Sequence, residues 1–499
     1  MSDVWNSEDL PGCSARGLSG DMSRRAMIER VVLGGALTSA FSMAGGAAFG
    51  QGMQPRDLIA AAQLGGKVGY AVADLRTGQV LEAMNPDVGM APASTMKALT
   101  TCYAFSNLGT DFRFVTRLVV TGPVSNGVLK GDLILMGGGD PTLSSDELGI
   151  LASKLAAAGV RKITGRFFVW GGALEQRDEI AGDQPVYVGY NPAVSGMILN
   201  FNRVYFEWKR AQAGWQLGMD ARSAKERPQA YTISAGVTNR EKPVYSYAQS
   251  GGKERWTVSA KALGKGGSRW LPVRAPDAYA ADVFQTLARA RGVDLPNPEA
   301  MRGSPRGTVI ADVTSTNLRE IARDMLRHST NITAEAVGMT TSAKLGVSGG
   351  KASGKAMATW LKKTAGLKAP VIEDHSGLGA GSRVSPLDMV RALAAHGPKI
   401  GLRGVMRDFA MRDGQGRVVK GHPVQVQAKT GTLNFVSTLA GYMTAKDGTE
   451  LVFAVFTGDL NRRARAKDSE TPEGSGAWVR RSKVLQSQLI ERWDALYGQ

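Results

Sequence analysis

The sequence predicts an α+β fold in which an antiparallel sheet flanked by helices is interrupted by one or two β-rich inserted domains. Two apolar runs before residue 90 and three near the C-terminus predict the sheet, and short β-like runs between Gly-rich turns recur from about residue 112 to residue 303. At 499 residues the chain is too long for one ordinary core. We therefore divide it into a leader at 1–50, a first core part at 51–111, the insert at 112–303 and a second core part at 304–499.

The leader has the features of an export signal. Ser23–Ile28 contains a twin-arginine pattern, and a mildly hydrophobic, uncharged run follows from Val31 to Gly50. Ala48–Gly50 supplies small residues for cleavage, which would leave Gln51 as the new N-terminus. The alternative is an uncleaved anchor, because the run is about long enough to span a bilayer. Both alternatives put the rest of the chain outside the cytoplasm, and we expect a periplasmic protein.

The first core elements follow the leader. Gly69–Leu75 and Val80–Met84 are short apolar runs, and the turn residues Arg76–Gln79 between them predict a hairpin. Pro92 suits the first turn of a helix that should run to about Phe105.

The second core part resumes with helices. Asn317 should cap a helix that runs to His328, and another helix should carry Ala334–Leu345. The remaining elements are three antiparallel strands and a terminal amphipathic helix, predicted at Gln425–Lys429, Leu439–Thr444, Leu451–Thr457 and Leu485–Leu496 respectively.

The net charge of +17 limits the classes of partner. Residues 1–50 hold four Arg and five acidic residues, so the basic excess belongs to the rest of the chain. Such an excess can attract nucleic acid, a membrane surface or an acidic polymer. The sequence has no RNP motif, zinc-finger spacing or basic helix with stacked aromatics, and we therefore expect no nucleic-acid partner. A solvated basic surface and peripheral association with an anionic wall polymer or membrane both stay open.

The segment Ser94–Lys97 carries the most chemical information. It places a hydroxyl and an amine three residues apart, on one face of a helix. An amine at that spacing can take the serine proton, which makes a nucleophile without any histidine. The pattern alone is weak, but Ser329–Asn331 and Lys429–Gly431 follow in the order found in penicillin-interacting serine enzymes.

Other segments match the same short patterns in unsuitable contexts. Ser250–Lys253 and Ser348–Lys351 also read S-x-x-K, but both are Gly-rich and would not hold a rigid helical turn. Ser315–Asn317 reads S-x-N and is better explained by helix capping. Gly346–Gly350 reads G-x-S-x-G, yet a nucleophile elbow needs a preceding strand and this segment follows a predicted helix.

The cysteines and histidines predict neither a disulfide nor a metal site. Of the two cysteines, Cys13 lies in the leader and Cys102 in an apolar stretch, where we expect it to be buried. The four histidines show no metal-ligand spacing and no HExxH pattern, so we expect no metal and no cofactor.

Together these motifs resemble the class C low-molecular-mass penicillin-binding proteins, the D-alanyl-D-alanine carboxypeptidase/endopeptidases of peptidase family S13. Ser94 and Ser329 are 235 residues apart, which leaves room for that family's large insert. Two positions depart from the family pattern, namely Thr330, where Asp is frequent, and His375, where Gly is common. Further matching stretches are Gly131–Leu143, Leu199–Asn202 and the Asp-x-Ser-Gly-Leu segment Asp374–Leu378.

The resemblance implies a penicillin-binding-protein/β-lactamase-like transpeptidase core that acts on peptidoglycan stem peptides. It implies that Ser94 attacks the D-Ala-D-Ala bond, that Lys97 is the base, and that Ser329 relays a proton to the leaving amine. For Lys97 to act at neutral pH its pKa must fall, and both burial and a neighbouring cation would lower it.

The resemblance also assigns the residues that bind the substrate. Asn331 would hydrogen-bond the substrate amide and position the base, and Lys429 would bind the terminal carboxylate together with Thr430 and Thr432. Gly431 would let the substrate lie against the strand edge. The oxyanion hole would consist of the backbone N–H groups of Ser94 and Thr432.

Two rival functions remain at this stage. A β-lactamase would share the nucleophile and the Lys-Thr-Gly strand, although the large insert argues against it. A catalytically silent wall-binding or scaffolding protein would use the insert as its working surface, but it would not need to keep the three motifs together. For the peptidase, β-lactams would mimic D-Ala-D-Ala and act as inhibitors, and the balance between carboxypeptidase and endopeptidase activity stays open.

Overall fold

A computed structural model describes residues 54–466 and 469–498. The export signal predicted at 1–50 lies outside these residues. Within them, no helix is both long and apolar enough to cross a membrane. The helices are α1 (Pro55–Ala62), α2 (Met96–Leu108), α3 (Ser145–Ala157), α4 (Pro276–Arg289), α5 (Leu318–His328), α6 (Asn331–Lys344), α7 (Gly350–Ala365), α8 (Pro386–Ile400), α9 (Leu460–Arg465) and α10 (Ser475–Tyr497).

The strands divide among several sheets. In chain order they are β1 (Lys67–Asp74), β2 (Val80–Met84), β3 (Val115–Val120), β4 (Val124–Ser125), β5 (Val128–Leu129), β6 (Leu133–Met136), β7 (Lys162–Ile163), β8 (Phe167–Trp170), β9 (Arg203–Arg210), β10 (Trp215–Asp220), β11 (Ile233–Thr238), β12 (Tyr245–Ser250), β13 (Lys253–Ser259), β14 (Gly266–Pro272), β15 (Pro298–Ala300), β16 (Thr308–Thr314), β17 (Arg407–Asp408), β18 (Gln425–Leu433), β19 (Val436–Thr444) and β20 (Glu450–Gly458).

The core sheet joins the two ends of the chain. Its order is β17-β18-β19-β20-β1-β2, and every neighbouring pair is antiparallel. Tyr70 of β1 pairs with Val455 of β20, so the N-terminal hairpin continues the sheet that the C-terminal strands begin. This confirms the predicted hairpin and the three predicted C-terminal strands.

Helices cover both faces of this sheet. Along β20, residues 452, 454 and 456 face a core built with α2, α5 and α8, whereas residues 451, 453 and 455 face α1 and α10. Successive side chains of a strand point to opposite faces, so a strand covered on both sides must be apolar throughout. The buried Trp478 and Trp493 of α10 form much of the second core.

The β-rich region has its own hydrophobic core. Its sheets are ordered β15-β8-β6-β3-β16, β10-β9-β14, β11-β13-β12 and β4-β5-β7, and α3 and α4 pack on them. Strand β16 pairs with β3 and completes the first of these sheets at Thr308–Thr314. The division of the chain into domains at residue 303 stays a prediction.

The β-rich region contacts the rest of the molecule along α6. A small apolar cluster joins residues of this helix to the loop region at 174–198, and its buried members are Leu174, Ile180, Ala181, Val194, Ile198, Ile332, Ala336, Met339 and Leu378. Two ion pairs add to the contact: Arg463 lies 2.9 Å from Asp183, and Arg269 lies 3.1 Å from Glu470. The insert is thereby held next to the start of α6, where one of the predicted motifs lies.

Candidate active site

Ser94 lies in a single 3₁₀ turn that precedes α2. The predicted helix therefore begins after the serine rather than at the proline, and Ser94 stands at the N-terminal end of α2. Ala93 takes a left-handed conformation with φ of 46°. The carbonyl of Pro92 accepts hydrogen bonds from Thr95 Oγ1 at 2.6 Å and from Thr438 Oγ1 at 2.8 Å, which fixes the turn against β19.

Two glycines pack closely against this turn. A Cβ atom at Gly431 would lie 2.9 Å from the backbone nitrogen of Ser94 and would overlap Thr438 Oγ1. At Gly377, which has φ of 75°, a Cβ atom would overlap the carbonyl oxygen of Ala93. Gly431 therefore has a packing role in addition to the substrate clearance predicted for it.

The amine of Lys97 is buried among three oxygens. Its Nζ lies 2.9 Å from Ser94 Oγ, 2.8 Å from Asn331 Oδ1 and 2.9 Å from the carbonyl oxygen of Ser376. The side chain has no exposed surface, and burial lowers its pKa to about 7, although Asp374 and Glu335 oppose this shift. The structure thus brings a serine hydroxyl together with an amine that loses its proton near neutral pH.

Ser329 and Asn331 occupy the turn between two helices. Ser329 ends α5 in a left-handed conformation with φ of 59°, and Asn331 is the first residue of α6. The Asn331 amide holds Lys97 through its oxygen and donates from Nδ2 to the carbonyl of Tyr190 at 2.9 Å. The Ser329 hydroxyl is half-buried and makes no side-chain hydrogen bond within the described part of the chain. Its predicted relay role stays a prediction.

Lys429 supplies a second buried amine in the same region. Its side chain is 3% exposed, and Nζ donates to the carbonyl of Thr430 at 2.8 Å. Burial lowers the pKa of Lys429 well below its usual value, and repulsion from Lys97 and Arg407 adds to the effect. Burial lowers the pKa of Lys97. The repulsion between the two amines, which was predicted to lower the pKa of Lys97, contributes instead to the lowered pKa of Lys429.

The strand that carries Lys429 has an accessible outer edge. β17 pairs with β18 only at Ala428 and Gln427, and no described strand pairs with that edge farther along. Thr430 and Thr432 are exposed, whereas Gly431 between them is buried. An extended peptide can add to such an edge through backbone hydrogen bonds, with its end near the lysine.

This geometry suits acyl transfer. A hydroxyl in contact with a neutral amine is an activated nucleophile. A second lysine nearby can hold an anionic group of the substrate, whose charge favours the protonated form of that lysine. Residues 56–474 match the model of the D-Ala-D-Ala carboxypeptidase 3 (S13) family. The chain belongs to this family. The resemblance predicted from the three motifs is confirmed.

A similar protein agrees with this assignment, and similar solved structures agree with the predicted fold. A D-alanyl-D-alanine carboxypeptidase of Actinomadura sp. (strain R39) is 28% identical over 426 residues, which are 78% of this chain and 77% of that protein. Penicillin binding protein 4 of Haemophilus influenzae has a solved structure with a TM-score of 0.71, at 22% identity, covering 88% of this chain and 99% of that chain. Its complex with a β-lactam gives a TM-score of 0.69 at 23% identity, with the same coverage. The predicted fold class is confirmed.

In this S13 chain, two buried carboxylates lie near Lys97. Asp374 begins the matching segment Asp374–Leu378, but neither it nor Glu335 was predicted as a site residue. Glu335 has no exposed surface, and Asp374 is 2% exposed. Burial, with repulsion from Glu335, raises the pKa of Asp374 to about 6. One signal could have identified Glu335, because it follows Asn331 by four residues and therefore lies on the same face of α6.

A glycine on α6 accommodates one of the two departures from the family pattern. His375 is buried, with its Nε2 2.6 Å from Ser353 Oγ, and burial lowers its pKa to about 4. A Cβ atom at Gly338 would overlap the imidazole ring, so this glycine on α6 makes room for the histidine. Thr330, the other departure, precedes α6 as its N-cap residue without a side-chain capping bond.

The alternative motifs lie outside the site. Ser250 and Ser348 are exposed, and Ser348 follows a helix, which excludes a strand-to-helix nucleophile elbow there. Asn317 caps α5 by accepting a hydrogen bond from the backbone of Glu320 at 3.0 Å, which confirms the capping interpretation.

Cys102 is buried, and burial raises the pKa of its thiol to about 12.

Proposed function

We propose that this chain is a serine-type D-Ala-D-Ala carboxypeptidase, with endopeptidase activity on cross-links, that acts on peptidoglycan stem peptides through an acyl-enzyme. The observation that carries the proposal is the 2.9 Å contact between Lys97 Nζ and Ser94 Oγ. Because burial lowers the pKa of this amine to about 7, its neutral form is available near neutral pH. A neutral amine at that distance can accept the serine proton.

Acylation would begin at the carbonyl carbon of the D-Ala-D-Ala bond. As Ser94 Oγ forms the new bond, its proton passes to Lys97 Nζ, and the carbonyl oxygen becomes an oxyanion. The backbone N–H groups of Ser94 and Thr432 would stabilise this oxyanion, a contribution that is typically worth about 10²–10³ in turnover. Lys429 and the hydroxyls of Thr430 and Thr432 would hold the C-terminal carboxylate of the substrate, whose negative charge would favour the protonated form of the Lys429 amine.

Release of the products would follow in two steps. When the peptide bond breaks, the leaving D-alanine amine takes a proton from Lys97 through the Ser329 hydroxyl. Water then attacks the ester at Ser94 and gives its proton to Lys97 Nζ. As the bond between the acyl carbon and Ser94 Oγ breaks, Lys97 returns this proton to Ser94 Oγ, which restores the free enzyme. β-Lactams would inhibit the enzyme because their strained amide forms the same ester. The β-lactam complex of the Haemophilus relative supports this part of the proposal.

We further propose that the chain is exported to the periplasm by its twin-arginine signal, since the substrate lies there. Peripheral membrane association is supported by the net charge of +17 and by α7, which carries four lysines and no acidic residue. Fractionation of cells that make the full chain tests both points. Replacing both Arg24 and Arg25 by Lys should keep the protein in the cytoplasm, and retained export would contradict the signal.

D-Alanine release from a synthetic stem peptide ending in D-Ala-D-Ala tests the activity. The wild type should release D-alanine, and Ser94→Ala should release none. Ser348→Ala is the matched control, because it removes an exposed hydroxyl from one of the two other S-x-x-K segments and should keep full activity. Activity that survives Ser94→Ala would overturn the assignment of the nucleophile.

A further inference from the structure

We propose that Glu335 is a positioning residue that holds Lys97 in place through the backbone of Ser376, and that Arg177 of the inserted region holds Glu335. The inference rests on the proposed acyl-transfer function and adds to it two residues outside the three motifs. It also gives the insert a direct part in forming the site.

A single residue of the 374–378 loop links the carboxylate to the amine. The backbone nitrogen of Ser376 donates to Glu335 Oε1 at 2.9 Å, and the carbonyl of the same residue accepts from Lys97 Nζ at 2.9 Å. The nitrogen of His375 also donates to Glu335 Oε1, at 3.1 Å. These two bonds anchor the backbone that leads into Ser376. The carbonyl of Ser376 shares its planar peptide unit with the N–H of Gly377, which donates to Asp374 Oδ1, so Glu335 and Asp374 together hold this carbonyl toward Lys97.

Helix α6 therefore controls two of the three oxygens around the amine. Asn331 provides one oxygen directly, and Glu335, one turn farther along the same face, anchors the backbone nitrogen of Ser376, whose carbonyl provides the other. The third oxygen belongs to Ser94 itself. A shift of α6 would move both supports of Lys97 together, and a misplacement of about 1 Å in such a site can cost about 10²-fold in rate.

Arg177 stabilises the buried carboxylate from the insert. Its Nη1 lies 3.9 Å from Glu335 Oε2 as an ion pair, and its Nη2 donates to the carbonyl of Ile180 at 2.8 Å. A buried carboxylate without a cation would take up a proton rather than stay charged, because desolvation is costly. A Cβ atom at Gly350 would lie 2.9 Å from Arg177 Nη1, so the start of α7 leaves space for the guanidinium.

The charge of Glu335 affects the pKa of Lys97. The ionisable groups that interact with it are Lys97, Arg177 and Asp374. Burial raises the pKa of Glu335, and the cations Arg177 and Lys97 oppose this and favour its charged form. The negative charge of Glu335 favours the protonated form of Lys97 and so raises its pKa. Replacing Glu335 by Gln removes this charge, so the pKa of Lys97 should fall, while one of the two acceptor oxygens is lost.

The test is the rate of acylation by a fluorescent penicillin, measured from pH 5 to pH 9. Glu335→Gln should lower the plateau rate by about 10²-fold. It should also move the midpoint of the pH profile below that of the wild type, which a loss of folded protein would not do. Glu373→Gln is the matched control, because it makes the same change beside the same loop on an exposed side chain and should match the wild type.

Arg177 provides a second, independent readout if Glu335→Gln does not fold. Arg177→Gln should slow acylation, and Arg177→Lys, which keeps the cation, should restore most of the rate. A wild-type plateau and midpoint in Glu335→Gln, or equal rates in the two Arg177 variants, would overturn this inference alone. An unlabelled wild type would overturn the proposed function and the inference with it.

Discussion

The amine of Lys97 occupies an environment that stabilises its neutral form. It has no exposed surface. Two of its three partners, Asn331 Oδ1 and the carbonyl of Ser376, can only accept and use the two N–H bonds of a neutral amine, which leaves the lone pair facing the hydroxyl of Ser94. A lysine so far from water is costly to charge, and nearby carboxylates offset only part of that cost. This balance, rather than the motif alone, gives the side chain a pKa suited to a base at neutral pH.

We predict that acylation accelerates as the pH rises through about 7, the pKa of Lys97. Below this pH the amine is protonated and cannot accept the serine proton, and above it the neutral base predominates. Single-turnover acylation by benzylpenicillin from pH 5 to pH 9 measures the midpoint. A midpoint near the usual lysine value, or a rate independent of pH, would show that Lys97 is not the base.

Gly431 offers a second prediction at the same scale. Gly431→Ala should push β18 away from the Ser94 turn, because the new methyl group would lie 2.9 Å from the Ser94 nitrogen. Overpacking of this kind typically costs about 1–3 kcal/mol of stability, and we expect acylation to slow by about 10²-fold. Gly218→Ala is the control, since a Cβ atom there meets nothing within 4 Å. Equal acylation rates in the two variants would contradict the packing role.

At the scale of elements, the sequence predictions are most accurate where the periodicity of apolar residues and local helix capping determine the secondary structure. The hairpin β1–β2, the strands β18–β20 and the end of α5 at His328 agree with the predictions. The terminal helix α10 is longer than predicted and begins at Ser475, because Trp478 and its neighbours face the sheet without a regular apolar pattern before Leu485.

The docking of α10 on the sheet predicts a large effect of one aromatic side chain. Trp478 is fully buried, and its Nε1 donates to the carbonyl of Leu64 at 2.6 Å. Trp478→Ala should cost about 3–5 kcal/mol and lower the melting temperature markedly. Trp215→Ala, which truncates a half-buried tryptophan of the insert, should have a smaller effect in the same calorimetric experiment. A smaller loss at Trp478 would contradict the docking.

At the scale of the whole molecule, the site depends on residues far apart in the chain. The three motifs could be read locally, but Glu335, Asp374 and Arg177 could not, since each acquires its role through a tertiary contact. The carbonyl of Tyr190, which accepts from the Asn331 amide, is a further case. Tyr190 and Asn331 are 141 residues apart in the chain. No local sequence pattern indicates that a backbone oxygen of the insert belongs to the site.

The central claim is that Ser94 forms a covalent acyl-enzyme. The most direct test is the intact mass of the purified leaderless protein with and without benzylpenicillin, with Ser94→Ala and Ser348→Ala beside the wild type. We predict a persistent one-to-one adduct on the wild type and on Ser348→Ala, and none on Ser94→Ala. An adduct on Ser94→Ala, or penicillin consumed by the wild type without a lasting adduct, would contradict the account.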